Sequence, residues 1–173
     1  MPNIWWLLAT YGLLNLFYSF SLKHIVILDI LLVAGFYIIR ILIGGVAFNI
    51  PISAWLILTT LFLALLLVIG KRLAEVRGAR VRSVTKQYTP KFLETLLMIA
   101  TTVSLMSYGI YTVLEVASPL APYTTIFVVY GLFKYHYLLH TTTATESPER
   151  LILRQPDIII AIIAWLWLLT YTI

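Results

Sequence analysis

Three groups of side chains in this sequence have the types and spacing that chemistry can use. The first runs Tyr18-Ser19-Phe20-Ser21-Leu22-Lys23-His24 and continues to Asp29 and Arg40. At about 100° per helical residue, Asp29 and Arg40 return to nearly the same helix face, roughly 16 Å apart along the axis. That spacing forbids a direct pair. It leaves two readings: a polar stripe down a cavity, or separate partners, with Lys23 or Lys71 meeting Asp29 and a neighbouring helix's carbonyls meeting Arg40. The second group is Gly70-Lys71-Arg72-Leu73-Ala74-Glu75, where Lys71 and Glu75 stand one turn apart on one face. Adjacent Lys and Arg suit a phosphate or diphosphate, Arg by bidentate hydrogen bonds and Lys as a point charge. The same pair is also what the cytoplasmic end of a membrane helix carries by charge bias alone. The third group is Lys134-Tyr135-His136-Tyr137, followed by His140, Glu146, Glu149, Arg150, Arg154 and Asp157. His136 and His140 have a spacing that two ligands of one metal use, but no third ligand is fixed nearby, and an interfacial Tyr/His belt is the expectation. Arg154 and Asp157, on either side of Pro156, are placed to close a site at the mouth of the last helix. The sequence holds no nucleophilic triad, P-loop or dinucleotide fingerprint, so no catalytic residue and no metal ligand is assigned.

The elements that must carry these groups are hydrophobic. Of 173 residues, 61% are hydrophobic and 11% charged, against about 25% charged in an ordinary soluble domain. Apolar blocks of roughly 20 residues, the length of a membrane crossing, recur near 4–22, 25–47, 52–70, 92–114, 120–140 and 157–173. The expectation is an all-α integral membrane protein of six transmembrane helices, with residues 1–173 forming a single transmembrane domain. Prolines mark the breaks: Pro51 at a first helical position, Pro90 after the N-cap candidate Thr89, Pro119 and Pro122 before the fifth helix, Pro156 opening the sixth. Gly44-Gly45 inside the second block predicts close helix approach or local unwinding.

Charge sets the expected topology. Ten of the twelve basic residues fall in three loops on one side, after the first, third and fifth blocks; Arg40 and Lys134 lie within blocks. Those loops are therefore expected in the cytoplasm of a multi-pass cell-membrane protein, with both termini outside. Arg77, Arg80, Arg82 and Lys86 are expected at anionic membrane lipids. The +5 net charge is too small and too segregated for nucleic-acid binding. The opening Met1-Pro2-Asn3-Ile4 lacks the positive start of a signal peptide, so the first block is expected to remain as a span. An outside N-terminus with no orienting charge predicts an odd number of upstream spans. The absence of cysteine excludes disulfides, thiol nucleophiles and thiolate metal sites.

Together these residues carry a resemblance. Tyr18-Ser19-x-x-Leu22-Lys23-His24-x-x-x-x-Asp29, then Arg40-x-x-x-Gly44-Gly45-Val46-Ala47-x-x-Ile50-Pro51-Ile52-Ser53-x-Trp55, then Gly70-Lys71-Arg72-x-Ala74-Glu75, resemble the decaprenyl-phosphate phosphoribosyltransferase branch of the UbiA superfamily of intramembrane prenyltransferases. Gln87-Tyr88-Thr89-Pro90-x-Phe92-Leu93 and Ser147-Pro148-Glu149…Leu153-Arg154 fit the same branch. The resemblance implies a nine-helix bundle with a cytoplasmic cavity, where phosphoribose passes from phosphoribosyl diphosphate to a polyprenyl phosphate with Mg²⁺ assistance. It implies substrate-binding roles for Lys23, Asp29, Arg40, Lys71, Arg72, Glu75 and Arg154. The family's Asn-Asp-x-x-Asp motif is absent from this sequence. The chain therefore reads as the C-terminal two-thirds of such an enzyme, with three helices supplied upstream or by a separate chain, and is expected to be inactive alone. Two other readings stand beside it. One is an aromatic prenyltransferase, although Gly70-Lys71-Arg72 stands where those enzymes carry acidic residues. The other is a six-helix transporter or scaffold, for which no inverted repeat is found.

Overall fold

In a computed structural model, which describes residues 2–78, 85–141 and 155–172, the described residues form helices joined by short non-helical links, with no strand among them. Its α-helices are α1 (Pro2–Phe20), α2 (Leu28–Phe48), α3 (Ala54–Arg77), α4 (Pro90–Leu114), α5 (Thr125–Thr141) and α6 (Pro156–Leu169). Short 3₁₀ turns at Leu22–His24, Thr85–Gln87 and Ala121–Thr124 lead into α2, α4 and α5. Helices adjacent in sequence pack on one another, and the α3–α4 pair is the most extensive. The core lies along that seam, where Leu66, Leu73, Leu93 and Leu97 are completely enclosed and Ile30 and Tyr135 close its sides.

Helices α2, α3 and α4 are long and apolar enough to cross a membrane. A helix in hydrocarbon satisfies its own backbone hydrogen bonds, which is why such a sequence takes this form. Outward-facing Met98, Met106, Val113, Phe133 and Ile160 remain exposed, as side chains bathed in lipid do. The molecule is an all-α membrane protein.

The helix ends show local chemistry. Thr89 caps α4, its hydroxyl accepting from the Phe92 N–H at 3.3 Å, with Pro90 in the first turn. Pro51 does not open α3. Ser53 takes the capping role, accepting from the Trp55 N–H at 3.2 Å, because a hydroxyl can satisfy an orphan amide and proline cannot. Gly45 does not unwind α2: the helix runs on to Phe48, and the absent side chain makes room for Ile52 to fold back. Helix α3 extends past the expected end at Gly70 to Arg77, so Lys71, Arg72 and Glu75 are helical. Helix α6 is shorter than expected, 14 residues, or about 21 Å.

Candidate functional site

The start of α2, the end of α3 and the segment before α4 meet at one end of the bundle, and their polar side chains form one network. Asp29 in the first turn of α2 is completely buried. Its Oδ2 accepts from Arg72 Nε at 2.9 Å and its Oδ1 from the Tyr88 hydroxyl at 2.6 Å. Arg72, itself only 4% exposed, also donates through Nη1 to Glu75 at 2.9 and 3.1 Å. Glu75 in turn accepts from the buried Thr85 hydroxyl at 3.0 Å. The Tyr88 oxygen receives the Ile27 N–H at 2.5 Å. This bond holds Ile27 at φ 70°, a conformation that a β-branched residue avoids. Burial, and then the bond to Asp29, push the Tyr88 phenol up to about 12, so it keeps its proton and donates.

Arg72, not Lys23 or Lys71, is thus the cation that meets Asp29. The reason is reach: the extension of α3 carries Arg72 two residues beyond Gly70, about half a turn, to meet the α2 start. Asp29 and Arg40 do not form one stripe. Arg40 is exposed, and its Nε and Nη2 donate to the Tyr11 hydroxyl on α1 at 3.1 and 2.7 Å rather than to backbone carbonyls. Lys23 sits half-buried in the Leu22–His24 turn. Lys71 and Arg72 line a cavity of about 160 Å³ with Tyr18, Tyr37, Val33 and Leu67. Arg154, with Glu146, Glu149 and Arg150, lies outside the described residues.

The third group is drawn into helix packing. Asp157 at the start of α6 pairs with Lys134 at 2.7 Å and accepts from the Tyr130 hydroxyl at 2.7 Å. His136 Nε2 lies 2.6 Å from the Thr101 hydroxyl on α4. Arg77 ties α3 to α4 through Glu94 and to the α5 end through the Leu139 carbonyl. Sequence reasoning gave no role to Tyr88, Thr85 or Tyr37. The only available signal was the position of Tyr88 and Thr89 within the Gln87-Tyr88-Thr89-Pro90 run.

A second, apolar cavity of about 400 Å³ opens between α3, α4, α5 and α6, walled by Leu63, Leu66, Val128, Leu132, Ile158 and Trp165. Its polar spots are already engaged. Thr59 bonds Ser107 at 3.0 Å, and Trp165 Nε1 donates to the Tyr108 hydroxyl at 2.8 Å.

Mg²⁺ does not fit the described carboxylates of this site. Among the described residues no three His, Asp or Glu side chains group to hold a metal. Both oxygens of Asp29 and of Glu75 already accept from Arg72, Tyr88 or Thr85, whereas Mg²⁺ requires oxygens free to complete a near-octahedral shell. What the site can offer is cationic: hydrogen-bond donors and positive charge at the mouth of a small cavity.

No family model matches the chain. Curated relatives do. The chain is 35% identical to the decaprenyl-phosphate phosphoribosyltransferase of Mycolicibacterium smegmatis over 119 residues, 62% of this chain and 37% of that protein. It is 35% identical over 115 residues to the protein of the same name from Mycobacterium tuberculosis, covering 64% and 38%. It is 36% identical over 109 residues to that from Corynebacterium glutamicum, covering 60% and 33%. The match thus spans between about a third and two-fifths of these relatives' length.

Proposed function

From this kinship with decaprenyl-phosphate phosphoribosyltransferases, we propose that the chain forms the anion-holding part of a UbiA-type membrane transferase. The reaction is transfer of phosphoribose from phosphoribosyl diphosphate to a polyprenyl phosphate at the cytoplasmic face of the plasma membrane. The observation that carries this reading is the pair Lys71 and Arg72 on the wall of one cavity with Tyr18 and Tyr37.

The two cations have different tasks. Asp29 and Glu75 already meet the charge of Arg72, so Arg72 chiefly fixes the wall and orients donors. Lys71, on the same wall, brings charge that stabilises a departing diphosphate. Lys23 and Arg154 retain the substrate-binding roles that the resemblance gives them. The apolar cavity beneath, between α3 and α6, takes isoprenoid chain. Any Mg²⁺ finds its ligands outside the described carboxylates, on the segment that carries the Asn-Asp-x-x-Asp motif in the family.

The test is reconstitution. The 173-residue chain in nanodiscs, given Mg²⁺, polyprenyl phosphate and labelled donor, is expected to form no phosphoribosylated lipid. Adding helices that bear the acidic motif restores turnover, and Lys71→Ala then lowers it about tenfold or more, whereas Lys71→Arg, which keeps the charge, retains most of it. Robust turnover by the chain alone, or an unaffected Lys71→Ala enzyme, overturns the reading.

A further inference from the structure

Arg40 stands near the middle of α2, a helix long and apolar enough to span a membrane, and among the described residues no carboxylate meets its charge. It lies about 18 Å from the start of α2 and about 12 Å from its end. Its partner Tyr11 lies halfway along α1. The guanidinium also rests over the Tyr11 and Tyr37 rings, each centroid 5.5 Å away. All of these contacts are neutral. Among the described residues the ion pairs belong to Arg72, Arg77 and Lys134, and none reaches Arg40. Ionisable side chains at this depth face a bundle interior and pair there; they do not face lipid.

Snorkelling does not resolve the position. Helical side chains lean toward the helix N-terminus, which points Arg40 away from the nearer end of α2, and the Tyr11 hydroxyl holds it there. A lipid phosphate is therefore out of reach. A second copy of the chain does not answer either. Helix α1 carries no acidic residue, the one acid of α2 is buried against Arg72, and a two-fold axis would set one Arg40 against another. The neighbouring surface is otherwise ready for packing: Phe17 of α1, Tyr37 and Val46 are exposed and apolar, and Gly44, one turn from Arg40, has open space about it.

We propose that the α1–α2 face around Arg40 is an interface for a further transmembrane helix that presents a carboxylate at mid-membrane depth. The relatives, of whose length this chain matches 37% or so, have room for such a helix. Charge complementarity sets its chemistry: one carboxylate completes Arg40, and small or apolar neighbours pack over Tyr37 and Gly44.

The probe is a polyleucine host helix with one central Glu, compared with hosts bearing Gln or Leu there. Each host also carries one cysteine a turn from the centre, and is mixed in nanodiscs with the 173-residue chain whose single cysteine is introduced by Gly44→Cys. Oxidative cross-linking is expected to be about tenfold greater for the Glu host than for the Leu host. Arg40→Leu should abolish that preference, and Arg40→Lys should keep it. Arg40→Gln, which keeps a polar side chain without the charge, should also abolish it while the chain's melting temperature holds, which separates lost charge from lost fold. Equal cross-linking of all hosts, equal cross-linking at Met106→Cys on the outer face of α4, or self-cross-linking of the chain through Gly44→Cys with no host present would each overturn the proposal.

Discussion

Asp29 and Arg72 are worth most as a pair, because each is buried by the other. Removing one partner leaves a charge enclosed without its counterion, which typically costs about 3–5 kcal/mol. Asp29→Leu and Arg72→Leu are each expected to lower the melting temperature of the detergent-solubilised protein sharply. The double substitution should lose less than the sum of the two, since neither charge then remains to be stranded. Additive losses would show that the bond at 2.9 Å contributes little. Tyr88 links the pair to the chain entering α2, and its raised pKa makes a separate prediction. A phenol at about 12 in the folded protein, against about 10 unfolded, binds its proton more tightly when folded. Its contribution is full below pH ~10 and fades as pH rises toward ~12. Tyr88→Phe should therefore remove part of the alkaline loss of stability, measured by thermal unfolding across that range, as well as lowering stability at neutral pH. The sequence displayed Asp29, Arg72 and Glu75 but not their pairing. Three-dimensional reach decided it, and the spacing of Asp29 and Arg40 along one helix carried no information about α3.

Packing at the element scale turns on Gly70. A Cβ built there would lie 2.8 Å from Tyr135 Cζ and nearer still to its hydroxyl, so the ring end of Tyr135 from α5 can seat on α3 because residue 70 has no side chain. Gly70→Ala is expected to destabilise by about 1–3 kcal/mol through overpacking. It should also disturb the neighbouring wall formed by Lys71 and Arg72. Tyr135→Leu, which shortens the opposing side chain, should recover part of that loss in the double variant. No recovery would place the strain elsewhere. The sequence made the helices themselves legible, because runs of apolar residues in lipid have one economical backbone solution. It was less informative about their ends. Capping depends on a single hydroxyl, as with Ser53 in place of Pro51, and the end of α3 follows from Arg72 and Arg77 finding partners rather than from hydropathy. The glycine at 70 was visible only as part of a motif. Its opposite number, Tyr135, comes from a helix far away in sequence.

For the whole molecule, the question is which way the bundle sits across the bilayer. Asp29, Arg72, Glu75 and Tyr88 gather at one end, the end at which α3 carries Lys71, Arg72 and Arg77. Helix α4, 25 residues long and therefore about 37 Å, is more than the ~30 Å of a hydrocarbon core. If α4 crosses as its length and composition allow, residues just before and just after it face opposite aqueous phases. Because the chain contains no cysteine, single labels read this directly. Gln87→Cys precedes α4 on the basic end, and Ser118→Cys follows it at the far end. In intact cells an impermeant maleimide should label Ser118→Cys, while Gln87→Cys should react only after the membrane is opened. The positive-inside bias predicts that polarity and not its reverse. Labelling of both from outside would mean that α4 does not cross. The reversed pattern would put the Lys71–Arg72 cavity on the exterior, away from any cytoplasmic phosphoribosyl donor, and the proposed transfer reaction would fail with it.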